Sequence, residues 1–205
     1  MGGIARLALF TSPLASAIPT DMPYEPPPYL AELTLAEIAE LVAARKLPPV
    51  EGWAPQKSGD SQMRIAADGT WYHEGEPIRR EAMVRAFAGL LKREADGQHW
   101  LVTPFEKLSI AVEDAAFIAV DCTRAEDALA FRLNTDDLVI AGPDHLLRAA
   151  GDPEAPALYL HARRGCEARL NRSTWAQLVE IALAEGAEHR GWQIASRGAI
   201  FSLLP

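Results

Sequence analysis

Apolar residues along this chain follow two rhythms, one of period 3.6 and one of period 2, and together they predict its elements. Three stretches keep the helical spacing. In the first, Leu35, Ile38, Leu41 and Val42 make one face. Thr34 and Glu37 stand at capping-box spacing, where each side chain satisfies a free backbone donor of the first turn. Arg45 and Lys46 suit the negative end of that helix, and Pro48-Pro49 stops it. In the second, Met83, Ala86, Phe87, Leu90 and Leu91 predict a helix over residues 79–94, entered after Pro77. In the third, Trp175, Leu178, Val179, Ala182 and Leu183 predict a helix over 174–184, capped by Ser173 and ended at Gly186.

The strand rhythm fills the spaces between. Strands are expected over 63–66 and 70–73 around an Asp68-Gly69 turn, a strong hairpin signal. Gly97 opens a strand over 100–103, and Pro104-Phe105 turns the chain into another over 107–112. Further on, 117–122, 128–133, 138–141 and 158–162 alternate with turn-rich stretches and read as an antiparallel meander. Two short strands, 192–195 and 199–203, close the chain.

The second and third helices superpose at a constant offset of 92 residues, Met83 falling on Trp175. The same offset sets Ile78 on Leu170, Arg80 on Arg172, Trp100 on Trp192, Val102 on Ile194 and Leu108 on Ile200. The expected fold is therefore α+β: two tandem, related strand-helix-strand-strand units with antiparallel sheets, the second extended by the meander. Residues 1–33, with Pro19, Pro23, Pro26, Pro27 and Pro28, read as a flexible arm. Residues 34–115 make the first unit with its leading helix, and 116–205 make the second, ending in a hairpin.

Composition narrows the classes of function. Of 205 residues 49% are apolar and 23% charged, ordinary values for a globular chain. The net charge of −8 argues against nucleic-acid binding, and Arg163-Arg164 stands out as a local basic patch. No apolar run reaches the roughly 20 residues that a membrane span needs. Ala15-Ser16-Ala17 loosely imitates a secretory cleavage site, but the run Leu7–Phe10 is short and a proline follows, so a tail or an upstream start before Met22 is preferred. Cys122 and Cys166 sit in no C-x-x-C and fit two buried thiols in a reducing cytoplasm. His73, His99, His145, His161 and His189 lack ligand-like spacing, and Pro77 spoils a metal helix starting at His73-Glu74. No esterase elbow or phosphate loop is present, so neither a metal nor a cofactor is expected.

What remains is a polar cluster in the first unit. Trp71 and His73 alternate onto one face of a strand, Thr103-Pro104 leads to a corner bearing Glu106 and Lys107, and Glu113-Asp114 ends the following strand. A His, a Glu and a Lys together suit proton transfer or anion binding; the plainer reading is a hairpin with solvated charges. Arg80 and Arg172, at helix starts, oppose the helix dipole and are expected to bridge to a carboxylate or a carbonyl, or to bind a ligand.

The run from Asp68 to Lys107, with its W-x-H-x-G-x-P-I and L-V-T-P-x-E-K elements followed by V-E-D-A, resembles a bacterial domain-of-unknown-function family, number 1285. The likeness extends from about Trp53 to the C-terminus. It implies an α+β fold with repeated motifs and a role in signalling or ligand binding, and it carries no catalytic residue. It marks Trp71, His73, Gly75, Pro77, Thr103, Pro104, Glu106, Lys107, Glu113 and Asp114 as signature positions.

The expectation is a cytoplasmic, non-enzymatic module that binds a small anionic molecule near His73 and Lys107, or a protein partner. The alternative is a hydrolase or transferase using His73 with Glu106. A homodimer through an exposed strand edge is a third expectation.

Overall fold

The computed structural model describes residues 29–205. The leader-like segment and most of the proline-rich arm lie outside the described residues. Helix α1 (Leu35–Ala44) forms as its capping box dictates: Thr34 Oγ1 accepts from the Glu37 amide, and the Glu37 carboxylate accepts from the Thr34 amide at 2.8 Å.

The first sheet follows. Its strands are β1 (Lys57–Ile65), β2 (Trp71–His73), β3 (Glu76–Pro77), β4 (Leu91–Arg93), β5 (His99–Val102) and β6 (Glu106–Val112), with helix α2 (Glu81–Ala88) between β3 and β4. The second sheet contains β7 (Phe117–Ala125), β8 (Ala128–Leu133), β9 (Leu138–Ile140), β10 (Leu147–Asp152), β11 (Ala155–Arg163) and β12 (Cys166–Leu170). Helix α3 (Arg172–Ala184) packs on β7, and β13 (Gln193–Ser196) with β14 (Ala199–Ser202) closes the chain as a separate hairpin.

Both sheets have the same topology. The first runs β3-β2-β1-β6-β5-β4 and the second β9-β8-β7-β12-β11-β10. Each is two three-stranded meanders joined at the centre by a parallel pair, β1 with β6 and β12 with β7. Two expectations are corrected here. The sheets are mixed, because the last strand of each unit returns beside the first and runs the same way. The repeat is real but has another register: β1 to β6 correspond to β7 to β12. Helices α2 and α3 are not equivalent, since one links the third and fourth strands and the other follows the sixth. Their matching apolar faces reflect the period that any core-facing helix obeys, so the pairings of Arg80 with Arg172 and Trp100 with Trp192 lapse.

The helix expected over 79–94 ends at Ala88. The Gly89 amide still bonds to the Arg85 carbonyl at 3.1 Å, and then the chain extends so that Leu91 pairs with Leu101. Helix α3 begins earlier than expected. Its cap is Asn171, whose Oδ1 accepts from the Thr174 amide at 2.8 Å, and not Ser173, whose hydroxyl donates to that same oxygen.

The two sheets share one core. Trp71, Phe87 and Leu101 of the first unit join Phe117, Leu129 and Phe131 of the second in a single apolar cluster. Gly69 lets the units approach, because a Cβ there would lie 2.7 Å from the Ile118 side chain. A smaller cluster sits on the opposite face of the second sheet. There Leu30, Leu35 and Ile38 cover Ala125, Ala128 and Ala130, with Leu138 and Ile140 at the margin. Helix α1, expected to lead the first unit, thus packs on β9 of the second.

Candidate functional site

Five of the ten signature residues, Trp71, Thr103, Lys107, Glu113 and Asp114, are engaged within the framework. Trp71 is buried, with its ring centroid 6.4 Å from that of Phe87, and its Nε1 has no hydrogen-bond partner. Thr103 ties the turn between β5 and β6: its hydroxyl donates to the Glu106 carbonyl at 3.0 Å and accepts from the Phe105 and Glu106 amides. Lys107 is engaged, with its Nζ 3.2 Å from the Glu94 carboxylate and 4.3 Å from the centroid of Trp100. Arg80 stands exposed at the start of α2 and makes no capping bond.

Glu113 and Asp114 divide between the two units. Glu113 accepts from the Ala67 amide at 3.0 Å and pairs with Arg64, whose guanidinium covers Tyr72. Asp114 accepts from the Tyr159 hydroxyl at 2.8 Å and pairs with Arg169 at 2.6 Å. Neighbouring carboxylates at the joint thus fasten one sheet each.

His73 and Glu106 are not brought together. His73 is level with Met63 and, across β1, with Ile110, whereas Glu106 is level with Lys57. Four residues along the strand and two strands across place their Cα atoms roughly 16 Å apart, beyond the joint reach of the two side chains. One Glu106 carboxylate oxygen is buried without a hydrogen-bond partner.

Arg163 and Arg164, the apparent basic patch, are almost wholly covered, their side chains 11% and 7% exposed. Arg163 pairs with Asp137 at 2.9 Å and donates to the Ala88 carbonyl at 3.2 Å; Arg164 donates to the Gly89 carbonyl at 2.7 Å. Two guanidiniums thereby meet the negative end of α2. Asp137 is buried between Arg163 and Arg45 and accepts from the Thr135 hydroxyl at 2.7 Å. Burial opposes its charge, but Arg163 and then Arg45 outweigh that, so its carboxyl stays below the usual range. The sequence signalled only a turn at these acids.

Among the described residues, two open depressions bear on the site. One, of about 540 Å³, opens where β1 bulges, between Asp60, Gln62, His99 and Ser109. Burial, and then Arg93, lower the pKa of His99. The other, of about 440 Å³, spans the joint. The β1–β2 turn supplies Ala67 and Asp68, and the second unit supplies Ile118, Asn134, Arg169, Asn171 and Arg172. Arg172 is exposed and has no acceptor among the described residues. Neither depression contains Trp71, His73, Glu106 or Lys107. The sequence marks Arg172 as a cation at a helix start that bridges or binds a ligand, whereas His99, just ahead of the strand expected over 100–103, carries no signal.

Cys122 and Cys166 are buried and unlinked, and burial pushes both thiols up to about 12. Among the described residues no group of three His, Cys, Asp or Glu is placed to hold a metal ion. No described helix is long and apolar enough to cross a membrane.

Comparison with known proteins bears on the whole arrangement. Residues 48–115 match the model described as "Domain of unknown function (DUF1285), N-terminal domain", and residues 116–203 match "Protein of unknown function (DUF1285), C-terminal domain". The chain is similar to a crystal structure of a DUF1285 family protein from Silicibacter pomeroyi DSS-3, with 39% identity over 82% of this chain and 94% of that one, at a TM-score of 0.68. It is also similar to a DUF1285 family protein from Shewanella baltica OS155, with 26% identity over 58% of this chain and 91% of that one, at a TM-score of 0.50. No curated protein matches. With both halves of the family model matched in tandem, one on each sheet, this chain belongs to the DUF1285 family.

Proposed function

We propose that this protein is a non-enzymatic binding module that takes a small anionic ligand in the depression between its two sheets and serves signalling. The observation that carries the reading is that depression, lined from both units and bearing Arg172 with no acceptor among the described residues. Asn134 and Arg169 add donors, although Arg169 is shared with Asp114. Ligand sites favour such joints, where two bodies supply opposing walls. This reading moves the anion from Lys107, whose charge is met by Glu94, to Arg172. A ligand touching both units favours the arrangement that it fits, which is how binding becomes a signal.

Thermal-shift titration against a library of anionic metabolites tests the proposal. At about a hundredfold excess over Kd a true ligand raises Tm by about 5–10 °C, and Arg172→Ala abolishes the rise. If no anion moves the transition, or if the variant responds as the parent does, the reading fails.

A further inference from the structure

The outer face of the second sheet carries a groove floored by small side chains. Ala125, Ala128 and Ala130 line it, with Leu138 and Ile140 at its edge, and Leu30, Leu35 and Ile38 fill it. The main core lies on the opposite face, where Leu129, Phe131, Leu133 and Val139 point. The segment filling the groove precedes residue 48, where the match to the family begins. Its hold is slight. Leu35 and Ile38 are the buried residues of α1, while Leu41 and Val42, on the same apolar stripe, remain 38% and 36% exposed. At the far end Arg45 reaches the buried carboxylate of Asp137, one residue before β9, so charge as well as shape matches the helix to its groove.

We propose that this groove is a docking site for an amphipathic helix, and that α1 is its displaceable occupant in cis. The competing partner is a helix with apolar residues at the spacing of Leu35 and Ile38, followed by an Arg or Lys that takes the place of Arg45 on Asp137. Alanines let a helix approach closely, and an apolar stripe laid in a groove is a common mode of peptide recognition. A helix of 10 residues is marginal alone, so α1 unfolds when it leaves the groove and release is a local unfolding event. This proposal is independent of the anion site, since it involves none of the residues lining that depression.

The test uses the full chain and a fluorescein-labelled peptide of residues 29–47. Ile38→Glu frees the groove without altering its walls. Because apparent affinity scales with the fraction of open groove, the peptide binds this variant at least about tenfold more tightly than the parent. Hydrogen exchange on the unmodified protein provides a second reading that needs no variant: α1 amides exchange at least about a hundredfold faster than those of β8. Equal affinity for variant and parent, or binding to neither, overturns the proposal, as does α1 protection equal to that of β8. Light scattering that shows the parent as a dimer and Ile38→Glu as a monomer overturns the assignment in cis, because a second copy then fills the groove.

Discussion

His99 is where a single side chain makes stability depend on pH. Burial, and then the nearby Arg93, lower its pKa in the folded protein, so folding favours the neutral ring. Its contribution is present above the ordinary value of about 6.5 and is lost as pH falls through the lower folded value. His99→Gln, neutral at every pH, is expected to flatten the fall in Tm between about pH 7.5 and pH 5.5. Calorimetry at the two pH values checks this, and an unchanged fall counts against it. Asp137 works by the opposite charge. Its folded carboxyl is held low by Arg163 and Arg45 against burial, so its contribution is present above about pH 4 and disappears as pH drops further. Asp137→Asn leaves Arg163 buried without its counter-charge, and the expected cost is about 3–5 kcal/mol at pH 7. Urea unfolding should show that gap narrowing at pH 3; a constant gap argues that the carboxylate charge is not the cause.

At the scale of elements, the connections explain which local signals held. Asp68-Gly69 predicted a hairpin and makes one, with Gly69 at φ +85°. The Arg164-Gly165 turn passed unread, yet both residues have positive φ, 50° and 76°, as a two-residue hairpin loop requires. This turn also touches the first unit: a Cβ on Gly165 would stand 2.8 Å from the Arg93 carbonyl oxygen, and the Arg93 amide donates to the Arg164 carbonyl at 2.9 Å. Gly165→Ala therefore combines backbone strain with a clash between units and should cost about 1–3 kcal/mol. Gly75→Ala is the control, with φ +86° but nothing near its Cβ. Chemical denaturation of both variants should show the larger loss at Gly165. Strands β10 and β12 escaped the pattern for a related reason. Cys166, Ala168 and Leu170 do alternate inward, but two of the three are small and they flank Glu167 and Arg169, so little apolar contrast survives.

For the molecule as a whole, joining the two sheets engages two of the signature residues. Glu113 and Asp114 hold one sheet each, and the buried Asp137 with Arg163 and Arg164 joins the second unit to the end of α2. A helix from ahead of the first unit crosses to the second. The candidate ligand depression lies at this joint, beside Glu113 and Asp114 but lined by none of Trp71, His73, Glu106 or Lys107. The sequence by itself determined what is local: the capping box at Thr34, the hairpin at Asp68-Gly69, the turn at Pro104 and the apolar faces that meet in the core. These follow from backbone sterics and side-chain period, which act within a few residues. Only the tertiary structure decided the parallel pairing of β1 with β6 and of β7 with β12, the register of the repeat, the burial of Arg163 and the place of α1. Backbone donors and acceptors are alike in every strand, so partner choice across some fifty residues leaves no local mark. A charged pair buried at a joint reads in sequence like any solvated turn until the chain folds around it.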